Sequence, residues 1–271
     1  MSAMEGEMIV AGAGALAARP GEVDVQVSTA KRYPRDPVRA LARAKECATL
    51  TPEIARSCWY VRPVGDGKTV EGPSVRLAEI LCSTWGNLRV SSEIVEVTAD
   101  RVVAVGRAWD LESNAAVSSE VSKSLLTSAK RGAARRVSDA QVEVIAGAAQ
   151  SIALRNAIRR IVGDAIVSEV LTAARRAALG ETGQATGEGS LAQSRDKVLA
   201  RLQAAYGVSP ERAAAAVGRR PDTLARADLE RLIGLGTSVQ EGETTVDVAF
   251  PALEEGPEVE VDLDAARGEE T

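Results

Sequence analysis

The chain has 271 residues, 45% of them hydrophobic and only 3% aromatic, so it can bury a sizeable core made mostly of Ala, Val, Leu and Ile. It contains no histidine, which excludes Ser-His-Asp triads, histidine acid–base catalysis and histidine-ligated metals. The formal charge of −5 is unevenly spread: residues 241–271 hold eleven acids and one base, Arg267, a net of −10, which leaves +5 on residues 1–240.

Residues 1–30 are rich in Gly and Ala with scattered acids and read as a flexible N-terminus. Within them, Gly12-Ala13-Gly14-Ala15-Leu16-Ala17 matches a dinucleotide fingerprint only on paper. The apolar run before it is three residues long, and Arg19-Pro20 stops any helix after it. Met8–Ala18 is apolar but follows Glu5 and Glu7, so it makes a poor signal peptide, and no run reaches membrane-spanning length. A cytoplasmic protein is expected.

Asp36-Pro37 predicts a helix start, an N-cap followed by proline in the first turn, with the helix running to about Leu50. Thr51-Pro52-Glu53 repeats the signal for a short helix ending near Cys58. Trp59–Arg62 reads as a strand, followed by a turn at Gly65-Asp66-Gly67. Gly67-Lys68-Thr69 resembles the end of a phosphate-binding loop, but the position that needs the first glycine is Arg62, and Val70-Glu71-Gly72-Pro73 follows where a helix should. A hairpin turn is expected, and ATP use is not supported. Gly72-Pro73-Ser74 opens a helix that Gly86 closes.

Three strands come next. Leu88–Val97 alternates imperfectly, Arg101–Leu111 places Val103, Val105 and Trp109 on one side, and Ala115–Leu126 carries Val117, Val121 and Leu125. With turns at Ala99-Asp100 and Ser113-Asn114, they predict an antiparallel meander. The loop Ser128–Arg136 has four positive charges and no acid. Ser138-Asp139 then caps a long helix to about Val162, whose Ala146–Ala149 and Ala153 permit close packing on the sheet and which carries Arg155, Arg159 and Arg160. Between Lys123 and Arg176 there are ten bases and four acids, a concentration that points to a polyanion, most simply nucleic acid. A further helix spans about Asp164–Leu179.

Gly180–Ser190 reads as a linker. Helical segments at Leu191–Tyr206, Ser209–Gly218 and Leu224–Val239 follow, and the tail from Glu241 is too acidic to be expected to fold. The expected organisation is thus a flexible stretch at 1–30, a nucleic-acid-binding unit at 31–180, a linker at 181–190, a three-helix module at 191–240 and a disordered acidic tail at 241–271. The fold class is α+β: a three-stranded antiparallel meander packed on a long helix, a β-β-β-α core with flanking helices, plus the small C-terminal helical module.

Cys47, Cys58 and Cys82 form no C-x-x-C pair and are odd in number, which argues for reduced thiols rather than disulfides or a zinc site. Trp59, Tyr60, Trp85 and Trp109 are candidates for stacking on bases, with Trp85 and Trp109 placed in the core. Asp110 and Glu112, with Glu120 and Lys123 nearby, suggest a metal-dependent nuclease as an alternative, although Glu120-Val121-Ser122-Lys123 departs from the usual nuclease strand spacing.

The strand–turn–strand–turn–strand unit from Leu88 to Leu126, the basic loop and the helix segment Ala148–Arg160 resemble the core of phage single-strand annealing proteins, the RecT, Redβ and Erf superfamily. Glu71–Ile80 with Trp85-Gly86-Asn87 is also similar to phage-encoded proteins of this length. The resemblance covers about residues 35–180. It implies an ATP-independent, non-enzymatic protein without cofactor or metal. Such a protein coats single-stranded DNA in the bacterial host cytoplasm, assembles into homo-oligomeric rings or filaments and anneals complementary strands in phage recombination. Carried over to this chain, the phosphate-contacting residues are Lys123, Lys130, Arg131, Arg135, Arg136, Arg155, Arg159 and Arg160. The scarcity of aromatic residues departs from a base-stacking pattern. The acidic tail reads as a solubilising segment, or as a peptide that docks on a basic protein partner or competes with nucleic acid for the chain's own basic groove. A phage structural or regulatory protein, whose basic patch meets an acidic protein surface, is the remaining alternative.

Overall fold

A computed structural model describes residues 20–65, 68–127, 135–180 and 188–253. The predicted helix starts form as the side-chain chemistry requires. Asp36 accepts from the amides of Val38 and Arg39 to open α2 (Pro37–Ala48), and Thr51 accepts from the Ile54 amide to open α3 (Pro52–Arg56). Before α2 lies α1 (Pro20–Arg32), a helix in the stretch expected to be flexible. Residues 1–19 lie outside the described residues. Helix α1 is tied down by Ala30, which is buried, and by Arg89, which bonds Gln26 and pairs with Glu22.

Strands β1 (Trp59–Gly65) and β2 (Lys68–Pro73) pair antiparallel, so Lys68 opens the second strand of a pair rather than a helix; residues 66 and 67 lie outside the described residues. Ser74 caps α4 (Val75–Trp85). The meander follows: β3 (Leu88–Val97), β4 (Arg101–Asp110) and β5 (Ala116–Ser124), in spatial order β3-β4-β5 with β4 central. A register shift between Ile94 and Glu96 accounts for the imperfect alternation of β3. Helix α5 (Asp139–Val162) starts in a complete capping box between Ser138 and Gln141.

Close contact between α5 and β4 follows from small residues on both sides. A Cβ at Gly106 would overlap the Ala153 carbonyl, and Ala149, Ala153 and Ala157 are fully buried at four-residue spacing. Val102, Ala104, Leu125, Ala149 and Ala153 form a small core between sheet and helix. After Gly163, which adopts φ 93, α6 (Asp164–Ala178) turns back over α2 and α3.

Helices α7 (Glu188–Tyr206), α8 (Pro210–Ala215), α9 (Arg226–Gln240) and α10 (Val246–Ala249) complete the chain. The expected separate module at 191–240 is corrected here. Its residues Leu202, Leu229, Leu232 and Ile233 belong to the same hydrophobic cluster as Trp59, Leu77, Leu81 and Ile158. Helix α9 lies directly on β1: Trp59 Nε1 donates to the Glu230 carbonyl at 3.0 Å and Ser238 Oγ to the Val61 carbonyl at 2.7 Å. Gly234 allows this approach, since a Cβ there would sit 2.5 Å from Val61 Cγ2. The tail also differs from expectation as far as residue 253. Phe250 is fully buried, because its ring supplies apolar area that the acids around it in sequence obscure. Residues 254–271 lie outside the described residues. Among the described residues no helix is long and apolar enough to cross a membrane.

Candidate nucleic-acid interface

The two faces of the meander have different fates. Val102, Ala104 and Gly106 of β4 point towards α5, and their cross-strand partners Lys123, Val121 and Ser119 on β5 share that face. On the opposite face the cations are paired: Arg107 with Glu93, and Arg101 with Glu96 at 2.9 Å. The outer sheet face is therefore close to neutral, and, Arg89 apart, the other cations of the meander and its helix lie on β5, one of the two edge strands, and on and before α5 beside it.

Helix α5 runs antiparallel to β5. Its start is fixed by the Val137 amide donating to the Leu125 carbonyl at 2.8 Å, and its end by Arg160 Nη1 donating to the Ser118 carbonyl at 3.0 Å. Arg135 and Arg136, both exposed, precede the helix, with Arg136 bridged to Leu126 beyond the end of β5. Arg159 and Arg160 are exposed near the other end, and Arg159 faces the exposed Asp164 at 3.5 Å. At 1.5 Å per residue the two pairs stand about 30 Å apart along the axis. The structure thus draws the predicted cations out into a track beside the edge strand. Lys130 and Arg131 lie outside the described residues.

Arg155 does not belong to this track, which corrects the carried-over set. Its side chain is 6% exposed and pairs with Glu243, itself 3% exposed, while its guanidinium carbon stands 4.3 Å from the centre of the Tyr60 ring. Arg155 and Arg159 are a turn apart on α5, but Tyr60 of β1 and Glu243 meet Arg155, while Arg159 is exposed. Lys123, on the inner side of β5, is half-buried near the same carboxylate. Burial lowers its pKa, the Glu243 charge opposes that shift, and the charges of Arg62 and Arg155 add to it. Arg62 on β1 stands 3.9 Å from Glu243 and is partly exposed. Glu243 therefore serves as the shared counter-ion of three cations, of which Arg62 is partly exposed, Lys123 half-buried and Arg155 buried.

Sequence reasoning missed Arg62 and Glu243. Arg62 drew notice only as the residue that breaks a phosphate-loop spacing. Nothing local marks it as a neighbour of α5, because the contact is made by residues far apart in the chain.

Asp110 and Glu112 are engaged elsewhere. Arg35 donates to Asp110 Oδ1 at 2.6 Å through Nη2 and to Glu112 Oε1 at 2.8 Å through Nε, and its amide reaches Glu112 at 2.9 Å. Asn87 adds a bond to Glu112 at 2.6 Å. Burial works against ionisation of Glu112, but the hydrogen bonds from Asn87 and Arg35 outweigh it and hold the pKa below the ordinary carboxylate value. Both carboxylates thus anchor the chain before α2 to the β4–β5 turn. Among the described residues no group of three or more Cys, Asp or Glu side chains is gathered as metal ligands.

The aromatic candidates divide. Trp59 is fully buried in the central core, and Tyr60 lies beneath Arg155, so neither is free to stack on a base. Trp85 is packed against the core and approached by Arg35 at 5.2 Å. Trp109 is partly exposed on the outer sheet face and bonds Asn114 at 3.1 Å.

Comparison of the chain with protein-family models, with curated proteins and with solved structures finds no match.

Proposed function

We propose that this protein binds single-stranded DNA through its phosphates and anneals complementary strands without ATP, acting as a homo-oligomer in phage recombination. The observation that carries the reading is the pair of exposed cation clusters at the two ends of α5, Arg135 and Arg136 at one and Arg159 and Arg160 at the other, with the partly exposed Arg62 of β1 and the half-buried Lys123 of β5 between them. A track about 30 Å long suits a phosphodiester chain lying lengthwise, and contacts confined to phosphates leave base edges free for pairing. The scarcity of accessible aromatics is in keeping with binding that rests on charge more than on stacking. Lys130 and Arg131, in the loop beside Arg135, extend the same positive charge in sequence.

Binding dominated by phosphate neutralisation is steeply salt-dependent, with about 0.7 in the log–log slope for each contact to a single strand. The test is anisotropy of a labelled oligothymidine over a range of salt concentrations. Arg159→Ala with Arg160→Ala is expected to reduce the magnitude of the slope by about 1.4 and to weaken binding at least about tenfold at low salt. An unchanged slope would remove these arginines from the site. The nuclease alternative receives no support from the carboxylates it requires, since Arg35 occupies both Asp110 and Glu112.

A further inference from the structure

Apart from the cationic track, the chain encloses a cavity of about 490 Å³ where α3, the end of α6, α7 and α9 meet. This is within the size range of small-molecule sites, roughly 300–1,000 Å³. Part of the wall is apolar, with Leu179, Val198, Leu202 and Ile233 all buried, and Ser57 and Thr237 are among the polar residues that complete it. Around them stand three cations, Arg56, Lys197 and Arg201, and one acid, Glu53, which already pairs with Arg56.

This grouping is unfavourable as it stands. Lys197 and Arg201 are four apart on α7, a like-charge spacing that weakens a helix. Arg201 also lies close enough to Arg56 to oppose its charge: burial lowers the Arg56 pKa, and the Arg201 charge lowers it further. Arg56 Nε is buried and has no hydrogen-bond partner among the described residues. A buried donor left unmatched is unfavourable. An anion at the mouth would relieve both repulsions at once, while Leu179, Val198, Leu202 and Ile233 offer apolar surface to the body of a ligand.

We propose that this cavity binds a small amphiphilic acid, with its apolar body against Leu179, Val198, Leu202 and Ile233 and its ionised carboxylate held between Arg56, Lys197 and Arg201. The site is separate from the DNA track and does not depend on that reading. The test is calorimetric titration of the full chain with three probes: decanoate, decanol and inorganic phosphate. Decanoate is expected to bind saturably at one site, with decanol and phosphate at least tenfold weaker, because each lacks one half of the match. Lys197→Gln with Arg201→Gln, both exposed positions whose change leaves the core intact, should weaken decanoate at least tenfold without moving the urea midpoint. No saturable binding of decanoate to the unaltered chain would overturn the proposal. So would decanol binding as tightly as decanoate, or unchanged affinity in the double variant.

Discussion

Glu243 is held inside the protein by Arg155 from α5, and Arg62 from β1 stands on its other oxygen. Removing one partner of such a pair leaves the other charge buried, so Arg155→Ala should cost about 3–5 kcal/mol in urea unfolding. Arg155→Met combined with Glu243→Leu removes both charges and should recover most of that loss; a single variant losing under about 1 kcal/mol would deny the pair its structural role. Glu241 makes a separate prediction. Its carboxyl accepts from the Val75 amide at 3.2 Å, and burial, followed by the charge of Glu243, pushes its pKa from 4.5 up to about 7 against the opposing influence of Arg155 and Arg76. Between these values the folded protein keeps a proton that the unfolded chain has lost. Stability therefore falls as pH rises from about 4.5 to about 7 and this contribution is flat above that, a loss of at most about 3 kcal/mol. Glu241→Gln retains the acceptor for Val75 and should flatten that part of the pH profile, raising stability at pH 8; a profile unchanged by the substitution would show that Glu241 titrates normally.

The contact of α5 with β4 sets the position of every cation on the helix. Gly106 has no room for a side chain against the Ala153 backbone, so Gly106→Ala should destabilise the protein by about 1–3 kcal/mol, readable in a thermal melt. An unaltered melting temperature would contradict the close approach. At this scale much was legible in the sequence, because the signals are local. Asp36, Thr51, Ser74, Ser138 and Ser209 each accept from an amide two or three residues on, and each was marked by its own residue type or by the proline beside it. Helix α1 was not legible, since its anchorage on Arg89 joins residues more than sixty positions apart. The division of the arginines was hidden for the same reason. Arg155 and Arg159 carry the same sequence signal, and Tyr60 of β1 and Glu243, 88 positions beyond Arg155, set the buried one apart from the exposed one.

Across the whole molecule, the C-terminal helices complete the core that the α+β unit begins. Arg175 on α6 pairs with Glu71 on β2 and Glu230 on α9 and lies 5.6 Å from the Trp59 ring, so three distant parts of the chain converge on one tryptophan. A chain ending at residue 190 should therefore lose cooperative unfolding and expose apolar surface to a fluorescent dye; a sharp transition from that fragment would show the core to be self-sufficient. The acid-rich end and the basic body, separate in sequence, are partly merged by folding, because Glu241 and Glu243 enter the body beside its cations. What remains exposed at the two ends of α5 are the arginine pairs on which the functional reading stands. The most direct measurement follows annealing of two complementary oligonucleotides in the absence of ATP and metal, comparing the unaltered protein with a variant carrying Ala at Arg135, Arg136, Arg159 and Arg160. The account predicts protein-accelerated annealing that weakens with salt and is lost in the folded variant. Annealing no faster than that of the oligonucleotides alone, or equal acceleration by the variant, would contradict it.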